Sequence, residues 1–182
     1  MLRFVLALLL LVIPAAAHST EAGWALLRDG AHVVLLRHAM VSGNADPANF
    51  DLEKCSTQVN LSTRGKQQAR KIGALFGARA APIERVLSSR YCRSLDTARI
   101  AFREEPEPFA PLDLLKTDPS EKAAQIAATM TEIRGYSGSD ILVMVTHLEN
   151  IVALTGISPR EGEVVIVEPQ GDGLRVLGRV TF

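Results

Sequence analysis

The chain predicts an α/β fold: a three-layer α/β/α sandwich with a mostly parallel central sheet and an antiparallel edge. Three observations carry that prediction. Short apolar strands alternate with amphipathic helical stretches, as where crossover helices join parallel strands. Ile141-Leu142-Val143-Met144-Val145-Thr146 is apolar almost throughout, like a strand covered on both faces. Two apolar runs within residues 164–180 flank Pro169-Gln170-Gly171-Asp172-Gly173, the signal of a terminal hairpin.

Each element has a local reason. Residues 24–28 read as a short helical turn, which Asp29-Gly30 breaks before a first strand over 31–36. Residues 39–61 are polar, carry Gly43, Asn44, Pro47 and Asn49, and read as a loop long enough to be functional or disordered. Ser62 reads as the N-cap of a helix whose stripe is Ala69, Ile72, Gly73 and Phe76. A second strand over 85–88 leads into a helix with Tyr91, Leu95, Ala98 and Phe102 facing inward. Pro106, Pro108, Pro111 and Pro119 forbid a continuous helix across 104–119. Ser120 then reads as the cap of a helix with the stripe Ala123, Ile126, Ala127, Met130 and Ile133. A short helix near 151–155 separates the apolar strand 141–146 from the hairpin.

The start of the chain carries an address. Arg3 precedes an unbroken apolar run over residues 4–13, and Pro14-Ala15-Ala16-Ala17 follows. That order describes a secretory signal peptide over residues 1–17. The apolar run is shorter than the roughly 20 residues that span a bilayer. The expectation is therefore an exported protein, periplasmic or secreted, whose domain occupies residues 18–182 without stable membrane insertion. Lys and Arg number 20 against 20 Asp and Glu, and no basic tract is interleaved with aromatics, which argues against nucleic-acid binding. Cys55 and Cys92 are the two cysteines, and export puts them where disulfides persist. A bridge between them would contribute about 3–4 kcal/mol in the chain-entropy model and tether the Cys55 loop beside Arg93. The alternative is a pair of free thiols. No zinc-ligand spacing is present, and neither metal nor cofactor is expected.

Three strand ends carry the chemistry. Val33-Val34-Leu35-Leu36 runs into Arg37 and His38, the second strand runs into Ser88-Ser89 with Arg93 shortly after, and the apolar strand ends at His147. Open α/β sheets gather ligands at the carboxyl ends of their strands. Arg93 falls in the first turn of a helix, where free amides and the helix dipole favour an anion. If the three strands are parallel and adjacent, Arg37, His38, Arg93 and His147 share one crevice. Arginines there suit an oxyanion, and histidine suits a nucleophile or acid–base group.

The same residues resemble the histidine phosphatase superfamily, which includes the phosphoglycerate mutases. Arg37-His38-Ala39 looks like its Arg-His-Gly/Ala signature, and residues 37–44 match the longer Arg-His-Gly-x-Thr-x-x-Asn pattern at Arg37, His38 and Asn44, with Val41 in place of threonine. Leu61-Ser62-x-x-Gly65-x-x-Gln68-Ala69 resembles the helix-opening segment. Residues 88–98 are similar to the Ser-Ser-Pro-Leu-x-Arg-Ala-x-Gln-Thr-Ala block, with Arg90, either a solvated side chain or one that widens the positive field, where proline is usual. Val145-Thr146-His147 matches the last motif.

The resemblance implies a phosphohistidine formed on His38, oxyanion binding by Arg37 and Arg93, a further hydrogen bond from His147, and substrate contact by Asn44. The expected substrate is a phosphorylated small molecule or a phosphoprotein. The general acid is open. His147-Leu148-Glu149 resembles the His-Ala-Glu variant of some inositol-phosphate phosphatases in the superfamily, which nominates Glu149; other members nominate the region of Asp113 or Asp118. A mutase is disfavoured by export and by the short chain. The competing reading is a phosphate-recognition module of the same fold with little or no turnover.

Overall fold

The structure, a computed structural model, describes residues 15–182. Most of the expected signal peptide, residues 1–14, lies outside the described residues. Its last three residues open helix α1 (Ala15–Asp29), which is longer than the turn expected at 24–28. The buried anchors of α1, Trp24 and Leu27, lie beyond the expected cleavage point.

The remaining elements are β1 (His32–Arg37), α2 (Thr63–Ala78), β2 (Ile83–Ser88), α3 (Cys92–Phe102), β3 (Glu107–Pro108), α4 (Pro119–Gly135), β4 (Ile141–Thr146), α5 (Leu148–Thr155), β5 (Val164–Gln170) and β6 (Gly173–Val180). They form one sheet in the order β3-β2-β4-β1-β5-β6. The first four strands of that order are parallel, and β5 and β6 are antiparallel. The expected fold class is therefore the observed one.

Side-chain alternation explains the layers. Along β1, Val34 and Leu36 pack with Trp24, Leu27, Ile72, Phe76 and Ala98 on one face of the sheet. Val33 and Leu35 pack with Leu112, Ile133 and Ile151 on the other. Thus α1, α2 and α3 cover one face, and α4 and α5 cover the opposite one. Every residue of β4 is buried, which places it in the middle of the sheet. Each large aliphatic side chain so buried contributes about 1.5–3 kcal/mol.

Three local expectations change. The N-cap of α4 is Asp118, not Ser120: its Oδ1 accepts from the amides of Ser120 at 2.9 Å and Glu121 at 3.0 Å, and Pro119 follows at the first helical position. One carboxylate oxygen serving two amides, with the preset φ of proline behind it, places the helix start before the serine. Ala123 and Ala127 are exposed, because alanine at helical spacing fits either environment. The inward face of α3 is Ser94, Thr97, Ala98 and Ala101, with Phe102 half-buried edge-on against Phe76 as expected, whereas Leu95 lies outside that face. Helices α2 and α3 approach closely enough that a Cβ on Gly73 would lie 1.8 Å from the Ala101 carbonyl oxygen, so only small residues fit between them.

Register positions the site. Arg37 stands opposite Thr146, and Ser88 opposite Val145. Just beyond the strands, the His38 amide donates to the Thr146 carbonyl at 3.0 Å and the Ser89 amide to the Val145 carbonyl at 2.9 Å. The three strand ends are level.

Candidate active site

Arg37, His38, Asn44, Arg93, His147 and Glu149 all line a single cleft of about 550 Å³ at the carboxyl ends of β1, β2 and β4. Its floor is buried: His38 is 7% exposed, Arg93 6% and His147 1%.

The turn after β1 is braced from three sides. The Ala39 amide donates to Thr97 Oγ1 at 2.9 Å, and the Met40 amide to Gln68 Oε1 at 3.1 Å. The Gly162 amide donates to both the Arg37 and His38 carbonyls. Gly65 is required by close approach, since a Cβ there would lie 1.9 Å from the Met40 carbonyl oxygen. These contacts give physical roles to Gly65, Gln68 and Thr97, which the sequence motifs contain without explanation.

His38 has a defined tautomer. Its Nδ1 lies 2.9 Å from the Ala39 carbonyl oxygen, which can only accept, so Nδ1 carries the proton and Nε2 the lone pair. Burial, aided by the Arg93 and Arg37 charges, lowers its pKa from 6.5 to about 4 despite the Ala39 contact. The imidazole is neutral at physiological pH. Burial and the same arginines also hold His147 well below the usual histidine range. Its ring centroid is 5.5 Å from that of His38 and 5.0 Å from that of Tyr91.

Two polar atoms on this floor are buried without a hydrogen-bond partner among the described residues: Arg37 Nε and His147 Nδ1. Arg37 is anchored elsewhere by Nη1, which donates to the Pro159 carbonyl at 2.9 Å. Leaving such polar atoms unmatched costs about 1–3 kcal/mol each, which a bound oxyanion recovers from those that carry a proton. The other nitrogen of His147, Nε2, is 2.8 Å from Ser89 Oγ, which also lies 3.2 Å from Asp113 Oδ1. The single hydroxyl proton of Ser89 serves one of these partners at a time. When it is given to Nε2, a neutral His147 carries its own proton on Nδ1, as an oxyanion donor.

Arg93 stands at the start of α3 with its guanidinium carbon 4.6 Å from the Tyr91 ring centroid. Its Nη1 donates to both carboxylate oxygens of Asp46 at 3.1 Å, and the Val59 amide donates to Asp46 Oδ1 at 2.7 Å. The expected disulfide is present: Cys55 and Cys92 are bonded, with Cα atoms 5.6 Å apart. Gln58 Oε1 also accepts from the Cys92 amide at 2.9 Å. The 43–60 loop is thus held against the start of α3 by a covalent bond, an ion pair and a hydrogen bond.

The candidate acids separate clearly. Glu149 is exposed and lines the cleft in the first turn of α5. Asp113 points into a different set of contacts: Arg90 donates to it through Nε at 2.8 Å, Nη2 at 2.6 Å and its backbone amide at 2.8 Å. That carboxylate is engaged as an acceptor from Arg90 and, at 3.2 Å, is the longer of the two alternative partners of the Ser89 hydroxyl, His147 Nε2 at 2.8 Å being the shorter. Asp118 is the exposed cap of α4 and does not line the cleft. Arg90, expected to be solvated or to widen the positive field, is instead the clamp on Asp113. Sequence reasoning missed Asp46, Ser89 and Glu161, which line or support the cleft. Asp46 lies in a loop whose path has no periodic signal, so nothing in the chain announced its pairing with Arg93.

The histidine phosphatase superfamily (branch 1) model matches residues 33–117. No curated protein sequence matches the chain. Among solved structures, the protein histidine phosphatase SixA complexed with tungstate is similar with a TM-score of 0.60 at 16% identity, covering 82% of this chain and 96% of that one. A phosphoserine phosphatase mutant from Entamoeba histolytica in complex with phosphoserine gives 0.57 at 13% identity, covering 82% and 96%. Phosphoglycerate mutase from Thermus thermophilus gives 0.56 at 18% identity, covering 83% and 99%. These structures share the fold. The motif-bearing segment thus resembles the histidine phosphatase superfamily, and the architecture around it is the fold that these structures share.

Proposed function

We propose that this protein is an exported phosphatase that hydrolyses phosphate monoesters through a phosphohistidine on His38. The observation that carries the reading is a neutral imidazole with its free Nε2 in a cleft shared with two arginines and a second histidine. A phosphate monoester dianion repels anionic nucleophiles, and a neutral nitrogen avoids that repulsion. His38 Nε2 attacks phosphorus in line as the bond to the leaving oxygen breaks. Arg37 and Arg93 hold the non-bridging oxygens, and His147 Nδ1 donates to one of them. Glu149 gives its proton to the leaving oxygen and then takes one from the water that attacks phosphorus; the new phosphorus–oxygen bond forms as the bond to Nε2 breaks, releasing phosphate and returning the lone pair to His38. The two guanidinium groups supply the positive charge that metal ions supply in other phosphoryl-transfer sites, so no metal or cofactor is invoked. Asn44, exposed at the mouth, is placed to touch the organic part of the substrate. Export is supported by the composition of residues 1–17 and by the Cys55–Cys92 bond.

Rapid mixing with an aryl phosphate tests this reading. A burst of phenol equal to the enzyme concentration, abolished in His38→Ala with the circular dichroism spectrum retained, is the expected result. Turnover surviving that substitution excludes His38 as the nucleophile. The second reading, a recognition module, is favoured by one observation, the pairing of Arg93 with Asp46 inside the cleft. It expects phosphate binding with neither burst nor turnover.

A further inference from the structure

We propose that this cleft selects phosphate esters whose organic part carries a positive charge, an aminoalkyl phosphate being the simplest. The proposal rests on the phosphohistidine reading for where the phosphate sits and adds what hangs from it. The lining holds two cations, Arg37 and Arg93, against three acidic side chains, Asp46, Glu149 and Glu161, so the cleft carries no positive excess even while Glu149 holds the proton it later donates. Both histidines are held toward their neutral forms and do not alter that balance at neutral pH. Arg93 is already paired with Asp46, which leaves its positive charge partly spent before any ligand arrives. The unpartnered Arg37 Nε and the buried, unpartnered His147 Nδ1 put the oxyanion on the floor.

Glu149 is exposed and Glu161 half-buried, so both stand nearer the mouth than the buried histidines. A phosphate on the floor thus projects its organic part past carboxylates. A bound dianion gives the cleft a negative excess in either protonation state of Glu149, and a cationic group at the mouth offsets it. Two further cations line an adjoining hollow that shares Leu114: Arg90, paired with Asp113, and Lys116. A second anionic group on the ester meets Glu149 and Glu161 unless it reaches that hollow.

The test titrates full-length His38→Ala, which binds without turnover, with aminoethyl phosphate, propyl phosphate and carboxyethyl phosphate at low salt in a calorimeter. The three differ in terminal charge at similar length. Affinity is expected to fall in that order, by about three- to tenfold per step, as rim charges in a focusing cleft act. In a Glu149→Gln/Glu161→Gln background the steps shrink to under about twofold. Equal binding of aminoethyl and propyl phosphate overturns the proposal, as does tightest binding of the carboxyethyl ester, or an order unchanged in the double variant. Binding of none of the three overturns it as well. The phosphohistidine reading fails separately, by the missing burst in the unaltered enzyme.

Discussion

The floor of the cleft takes Arg37, His38, Arg93 and His147 from the ends of hydrogen-bonded parallel strands or the helix turn that follows, whereas the rim takes Asp46, Glu149 and Glu161 from loops and a short helix. The floor is set by register: once β1 lies against β4 and β4 against β2, the side chains beyond Arg37, Ser88 and Thr146 have one place to go. The rim is set by individual contacts, chiefly Asp46 on Arg93, Gln58 on the Cys92 amide and the Cys55–Cys92 bond. Backbone pairing is cooperative and follows from hydrophobic pattern. Single side-chain contacts in a polar loop follow from no pattern at all.

The sharpest way to break this contrast is on the floor. His38→Ala is expected to lower kcat at least about 10⁴-fold while urea unfolding is changed little, because in the proposed mechanism this residue supplies the bond-forming atom. Arg93→Ala should cost about 10²–10³-fold in kcat/KM, the loss typical of a donor aimed at developing charge. Either effect confined to a few fold would remove the floor from the chemistry.

This contrast also decides what is legible in the sequence. The fold class, the convergence of Arg37, His38, Arg93 and His147, and the Cys55–Cys92 pair are readable there, because strand patterns and a cysteine count constrain them. Asp46 is not, since its partner lies 47 positions away and nothing periodic links them. The pairing of Arg90 is hidden for the same reason, its carboxylate partner Asp113 being 23 positions on. The cap of α4 lies two residues before the expected serine because Asp118, Pro119 and Ser120 all favour a helix start, and only the geometry chooses among them.

The rim gives smaller and separable effects. Replacing both cysteines with serine opens a loop with a sequence separation of 37. Urea titration should show a loss of about 3–4 kcal/mol, with KM rising more than kcat falls, because Arg93 and the loop lose a shared anchor. An unchanged stability would mean that the loop is held without the bond.

Acid should act on the floor. Burial keeps His38 neutral down to about pH 4, whereas an unfolded chain protonates it near 6.5. The unfolded state therefore binds the proton first. This contribution is complete above about pH 6.5 and falls away toward pH 4, by about 3 kcal/mol. Stability measured across pH 4–7 should rise with pH through that window, and His38→Ala should flatten the rise. The ionisation of His38 itself should limit activity only near pH 4.

Asp46→Asn is the mildest of the set. It keeps a hydrogen-bond acceptor for Arg93 but removes the charge. The expected change is about tenfold in kcat/KM or less, with tighter inhibition by inorganic phosphate as Arg93 is released from its carboxylate. Weaker phosphate inhibition would instead make Asp46 a group that only orients the guanidinium.

The central claim is a covalent bond between phosphorus and His38, and trapping it is the direct measurement. The enzyme is mixed with a ³²P-labelled aryl phosphate, quenched in alkali during turnover, and digested for peptide mapping. The account predicts about one label per active site, stable in alkali and lost in acid, on the peptide carrying His38. Turnover without any trapped label under the same quench, or label on the peptide carrying His147, would contradict it.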